Sequence, residues 1–237
     1  MADFKPSSAS IPGVATDRAV IDAGLRAHMI RVYNYMAIGV ALTGVVAWLT
    51  SQIVGPAFLN SPLLWVFILA PLALVFFISL RINSLSAGTA LTLFFVYAAS
   101  VGLSLATIFF IYTDSSITRV FFISAAAFGA LSMWGYTTQR SLTGLGSFLF
   151  MGLIGVIIAS LVNIFLKSSG LDWIISVIGV IVFAGLTAWD TQKIKEMYDP
   201  MDDGTVAGRK AVMGALSLYL DFINLFMLLL RLLGSRR

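Results

Sequence analysis

The chain has no cysteine and a single histidine, His28. Disulfide frameworks, thiolate metal sites and cysteine nucleophiles are therefore excluded, and no histidine cluster can hold zinc or haem. Charge is almost as scarce. Only 11% of the 237 residues are Asp, Glu, Lys or Arg, whereas a soluble domain carries roughly 25%. Whole stretches of about 20 residues carry no charge, which is the length a helix needs to cross the apolar core of a bilayer. A soluble enzyme domain, a disordered chain and a coiled coil are excluded on these grounds. What is present is apolar: 59% of the residues are hydrophobic and the mean hydropathy is +0.96. The composition is that of an all-α integral membrane protein with several spans.

The net charge of +4 does not point to nucleic acid, because the basic residues stand singly between apolar segments. They read as topology determinants facing anionic lipid. Seven segments qualify as transmembrane helices, at about 32–54, 63–80, 87–112, 117–137, 145–166, 171–192 and 212–233. Before them lies a polar N-terminal arm, 1–31, with no apolar core of a cleavable signal peptide. After them comes a short basic tail, 234–237. The connections are short except TQKIKEMYDPMDDGTVAGRK, which alone is long and charged enough to be a soluble feature. No internal repeat is evident, so a transporter built from inverted repeats is not supported.

Lys/Arg bias gives the orientation. With seven spans, one side holds Lys5, Arg18, Arg26, Arg31, Arg81, Arg140, Lys193, Lys195, Arg209 and Lys210. The other holds Arg119, Lys167, Arg231, Arg236 and Arg237. Ten against five places the N-terminus in the cytoplasm. The tail GSRR dissents, and a six-span form with a re-entrant last segment would satisfy it. Pro71, midway along the second segment, removes a backbone donor where a kink or a tolerated membrane proline are both open readings.

Two aspartates stand out inside the spans, and an intramembrane carboxylate is expensive enough to be a functional hypothesis by default. Asp221 lies nine residues after Val212, roughly 14 Å deep at 1.5 Å per residue. Asp190 lies near the cytoplasmic end of the sixth segment. The two helices are consecutive and antiparallel, so both carboxylates approach from one side of the membrane and can meet at similar depth. Gly214, Ser217, Asp221 and Asn224 share a face of the seventh segment, and Ser176, Gly179, Thr187 and Asp190 a stripe of the sixth. Small and hydroxyl residues in such stripes are the usual material of close helix contact. Two carboxyls in contact would share one proton and titrate as a unit, a proton sensor built without histidine. Arg81, ending the second segment, is the candidate counter-ion; its alternative role is a snorkelling anchor.

Rival chemistries fare less well. A retinal protein needs a lysine buried in a helix, and Lys193 and Lys195 lie at an edge. A rhomboid-type serine protease needs a membrane histidine; GALS occurs twice, at 129–132 and 214–217, but no histidine accompanies it. An intramembrane aspartyl protease also places one aspartate on each of two consecutive helices. Presenilin-like enzymes carry YD, GxGD and a downstream PAL, whereas this chain has Trp189-Asp190, then SLYLD ending at Asp221, and no PAL.

The stretch GALSLYLDFINLFMLLLRLLG (214–234), preceded by GLTAWDTQKIK (185–195), resembles the bacterial members of the Bax inhibitor-1 family. The resemblance covers about 31–234 and is most specific in SLYLDFINLF. It implies a seven-helix bundle whose last helix is central and surrounded by the other six, in a bacterial inner membrane. It also implies a pH-sensitive calcium leak, with calcium as the transported ion rather than a cofactor, and no enzyme. The family's aspartate pair maps to Asp190 and Asp221, the pH sensor and transient calcium ligands, and its latch arginine to Arg81. Ser217, Asn224 and Thr187 would add polar lining around the two carboxylates. Some bacterial relatives associate with a membrane-anchored AAA+ protease, so a non-transporting regulator is the alternative. It would act through the arm or the charged loop.

Overall fold

The computed structural model describes residues 12–56 and 61–237, with side chains from Ile21 onward except Leu63. Lys5 and most of the KPSSASIPG stretch lie outside the described residues. The chain is almost wholly helical: α1 Pro12–Val54, α2 Leu63–Arg81, α3 Ala87–Leu105, α4 Ile108–Ile111, α5 Asp114–Thr137, α6 Thr143–Leu166, α7 Ser169–Glu196 and α8 Gly204–Leu233. Among the described residues seven helical stretches are long and apolar enough to cross a membrane.

Three boundaries differ from the apolar segments, each for a physical reason. The arm from residue 12 onward is helical and continuous with the first span: α1 has 43 residues, about 65 Å of helix against an apolar core of about 30 Å. The charged connection between the last two spans is mostly helix as well. α7 continues to Glu196, α8 starts at Gly204, and only 197–203 lies between them. Asp203 caps α8 by accepting from the Thr205 and Val206 amides at 2.8 and 2.7 Å, the usual service of an Asp at this position. The third span, in contrast, is interrupted. Ser104 bonds back to the Ser100 and Val101 carbonyls and Thr107 to that of Ser104. Such back-bonding competes with the helix ladder, and α3 ends at Leu105 before the short α4. Pro71 lies inside α2, which runs on to Arg81.

α8 is the most buried span, with 61% of its apolar window enclosed against 6% for α6. It packs on α7, α1, α5 and α3; α7 also holds α5 and α6, while α2 rests mainly on α3. Close approach is made possible by small residues. A side chain on Gly135 of α5 would run into the Ala188 backbone of α7, and one on Gly102 of α3 into the Thr43 carbonyl of α1. Because α6 and α2 stand at the edge, part of the α7–α8 seam is left open.

The two ends of the bundle are fastened differently. At one, the extended half of α1 lies on the α7–α8 connection: His28, 6% exposed, packs its ring 5.8 Å from that of Tyr198. Lys210 and Asp202 form an ion pair beside it. At the other, the tail forms a one-residue bridge, Tyr112 opposite Arg236, with Ser235 donating to Ser116 Oγ at 2.9 Å. Arg237 pairs with Asp114 at 2.8 Å and Arg231 with Asp172 at 3.0 Å. α8 is one continuous helix, Gly204–Leu233, without a re-entrant turn, and of the two arginines in the dissenting GSRR tail Arg237 has a carboxylate partner.

Candidate functional site

Asp221 sits about midway along α8 and is 4% exposed. Asp190 occupies the penultimate turns of α7, half-buried. Antiparallel packing of α7 on α8 brings the two carboxyl groups against each other, within hydrogen-bonding range. The Oδ2 atom of Asp221 is buried and receives no N–H or O–H from the described residues. The neighbour of the Asp221 side chain is another carboxyl, that of Asp190. Two acceptors held in contact away from water need a proton or a cation between them, because an unpaired buried carboxylate is costly.

Two cavities border this pair, both lined by Asp190 and the larger also by Asp221. The smaller, about 370 Å³, opens at the connection end and is lined by Ile82, Asn83, Asp190, Lys193, Arg209 and Ser217 among others. Arg209 there donates to the Asn83 carbonyl, tying α8 to the turn after α2. The larger, about 730 Å³, runs along α6, α7 and α8 as far as Arg231 and contains Asp190, Asp221, Ser217 and Asn224. Asp190, Lys193 and Ser217 line both. Among the described residues no group of three or more His, Cys, Asp or Glu side chains gathers to hold a metal. The acidic oxygens on offer are thus those of two carboxylates. Asn224 adds an amide whose nitrogen is occupied by the Leu220 carbonyl at 2.8 Å, leaving its oxygen for the cavity.

The remaining expected residues are placed as follows. Ser217 and Asn224 face the larger cavity with Asp221. Thr187 does not join them, and the expectation that it lines the path is corrected: it is fully buried, donates to the Phe183 carbonyl at 2.8 Å and lines neither cavity. Three residues before Asp190, it is rotated about 60° from it on the helix, enough to turn it into the packing. Arg81 is exposed at the end of α2, lines neither cavity and forms no ion pair with Asp190 or Asp221. Gly179 and Gly214 are packing surfaces, meeting Leu228 and Ile194 respectively.

A profile of the family described as "Inhibitor of apoptosis-promoting Bax1" matches residues 25–237. The chain is also 49% identical over 220 residues to "Inner membrane protein YbhL" of Escherichia coli K12, covering 91% of this chain and 94% of that one. The chain belongs to the Bax inhibitor-1 family. Within the family it is also 49% identical to protein RP147 of Rickettsia prowazekii, covering 91% of this chain and 92% of that one. A Caulobacter vibrioides protein is 42% identical over the full length of both.

In this Bax inhibitor-1 chain, one residue of the site went unrecognised in the sequence. Lys193 had been assigned to topology, yet its position three residues after Asp190 puts it on the same face of α7, and this spacing was the available signal. Two buried polar anchors were also missed. Gln192 accepts from the Leu142 amide at 2.7 Å and donates to the Arg140 carbonyl at 2.9 Å, fixing the start of α6 to α7. Ser132, the serine of the first GALS, bonds Tyr33 of α1 and Thr191 of α7 at 2.5 and 2.9 Å. Its hydroxyl serves as a three-helix tie.

Proposed function

We propose that the protein is a passive, pH-gated cation leak of the bacterial inner membrane, with calcium as cargo and the Asp190–Asp221 pair as proton sensor and gate. The single observation that supports this reading is the contact of two carboxyls, one with a donorless buried oxygen, where two cavities share Asp190, Lys193 and Ser217. A proton held between the carboxyls satisfies both and leaves the pair with one negative charge instead of two, so it draws a cation less strongly. Loss of that proton creates a charged oxygen cluster that a cation can visit. Calcium prefers six to eight oxygen ligands, so two carboxylates with Ser217, Asn224 and water form a weak site, suited to passage rather than storage. The protein is on this reading no enzyme, and its N-terminal side faces the cytoplasm. The latch ascribed to Arg81 is not engaged in this conformation.

The inner-membrane location rests on the name of the Escherichia coli relative. The test of function is calcium uptake by proteoliposomes across pH 6 to 8. Wild-type protein should give uptake that changes with pH, and Asp221→Asn should remove the pH dependence. Uptake and pH dependence both intact in Asp221→Asn would sink the gate assignment.

A further inference from the structure

The two cavities share three lining residues, Asp190, Lys193 and Ser217. A primary ammonium therefore borders both. Lys193 forms no ion pair among the described residues, and its Nζ rests 5.0 Å from the ring centroid of Trp189. Trp189 is itself fixed: it lines the larger cavity, and a side chain on Gly146 of α6 would strike its indole.

A lysine ammonium is a compact point charge on a flexible four-carbon stem with three rotatable donors. Asp190, one turn back on α7, is at the spacing from which lysine and aspartate side chains meet on a helix surface. The ammonium therefore has two resting places, the indole face and the Asp190 carboxylate. The first is an attraction of a cation to an aromatic quadrupole, for which tryptophan is the best ring. The second supplies the donors that the facing carboxyls lack.

We infer that Lys193 is a tethered competing cation: swung onto Asp190 its ammonium takes the carboxylate that borders both cavities, and parked on Trp189 it leaves that carboxylate free. This rests on the leak reading and deepens it, since the tethered ammonium and a permeating cation contend for the same oxygens. The effective concentration of a group held one helical turn away is high, so a free ion gains the site only while the indole holds the ammonium. The parking place thus sets the open fraction by ordinary population shift.

Two measurements test the inference, one of them independent of transport. In proteoliposomes, Lys193→Gln should raise calcium uptake by roughly 3–10-fold, the range expected when one cation–π-scale competitor is removed. Trp189→Phe, which weakens the parking place but keeps a ring in the packing, should lower uptake, and it should do nothing further in the Lys193→Gln background. Wild-type vesicles that take up no more calcium than empty ones would overturn the leak reading. A leaking wild type with unchanged or reduced uptake in Lys193→Gln would overturn the role of Lys193.

The second measurement is the rate at which acetic anhydride acetylates Lys193 in detergent-solubilised protein, followed by mass spectrometry. An ammonium held by a carboxylate reacts slowly. Asp190→Asn should therefore speed acetylation at Lys193 and Trp189→Phe should slow it, with Lys195 as the internal control. An Asp190→Asn rate equal to that of wild type means that the ammonium does not visit Asp190, and the inference falls whether or not the protein leaks.

Discussion

Tyr219 and Asp221 are two residues apart on α8, which turns them about 200° from each other, and they meet opposite fates. Tyr219 points toward α1 and α3, fully buried, its ring edge-on to Phe94 and Tyr97 at 5.7 Å. Its hydroxyl meets Thr43 at 2.6 Å, and Thr43 in turn donates within reach of the Gly39 and Ala98 carbonyls at 3.0 and 2.8 Å. The Tyr219 hydroxyl on that face thus has a partner. Asp221 points the other way, toward the seam that α6 and α2 leave open, with an oxygen lacking a donor. Both are buried polar groups in an apolar helix, so burial alone does not separate structure from function. Satisfaction does: a polar group whose partners are all supplied is glue, and one without them beside a cavity is poised to exchange a proton or ion.

The contrast is sharpest in stability. Tyr219→Ala should cost about 3–5 kcal/mol, the range for emptying a fully packed aromatic site, read as a fall in unfolding midpoint in detergent. Asp221→Asn should leave that midpoint unchanged or raise it, because the amide brings donors to a place that has none. A large loss in Asp221→Asn with little in Tyr219→Ala would invert the assignment of the two faces. Gly135→Ala tests whether α7 is held as rigidly as the closed face implies; the added methyl meets the Ala188 backbone, and the strain should cost about 1–3 kcal/mol. Tyr219→Phe removes one hydroxyl and keeps the ring. With Thr43 still served by two carbonyls, the loss should be about 1 kcal/mol, and calcium uptake should keep its pH profile. Smallest of all, Arg237→Ala at the tail should change the midpoint by about 0–1 kcal/mol, and less in high salt, as expected of an exposed ion pair.

Which of these features could be read from the sequence follows from what hydropathy measures. Spans were legible because lipid preference needs long apolar runs, and the Asp190–Asp221 meeting was legible because consecutive helices are antiparallel and depth is countable. Helicity beyond the membrane was not. The charges in TQKIKE and TVAGRK end an apolar run, yet they leave the backbone ladder untouched, so α7 and α8 continue where hydropathy stops. The third span, Ala87–Ile111, was legible as a whole, but hydropathy gave no sign of the break between α3 and α4 inside it, where Ser104 and Thr107 bond back to carbonyls. Arg81 stood between two readings, latch and snorkelling anchor, for another reason. Its position at the end of a segment says nothing of the rotation of α2 about its axis, and that rotation leaves the guanidinium exposed.

The unbroken length of α1 has a mechanical consequence. Roughly 30 Å of helix, residues 12–31 at about 1.5 Å each, extends from the apolar part of the same helix with no proline after Pro12 at its start. A tilt of about 5° in the membrane then sweeps the far end through between 2 and 3 Å by simple leverage. Gly24 and His28, part-way along that arm, bear directly on Tyr198. Slight rocking of the first span is delivered there as a stroke, at the joint between the two helices that carry Asp190 and Asp221.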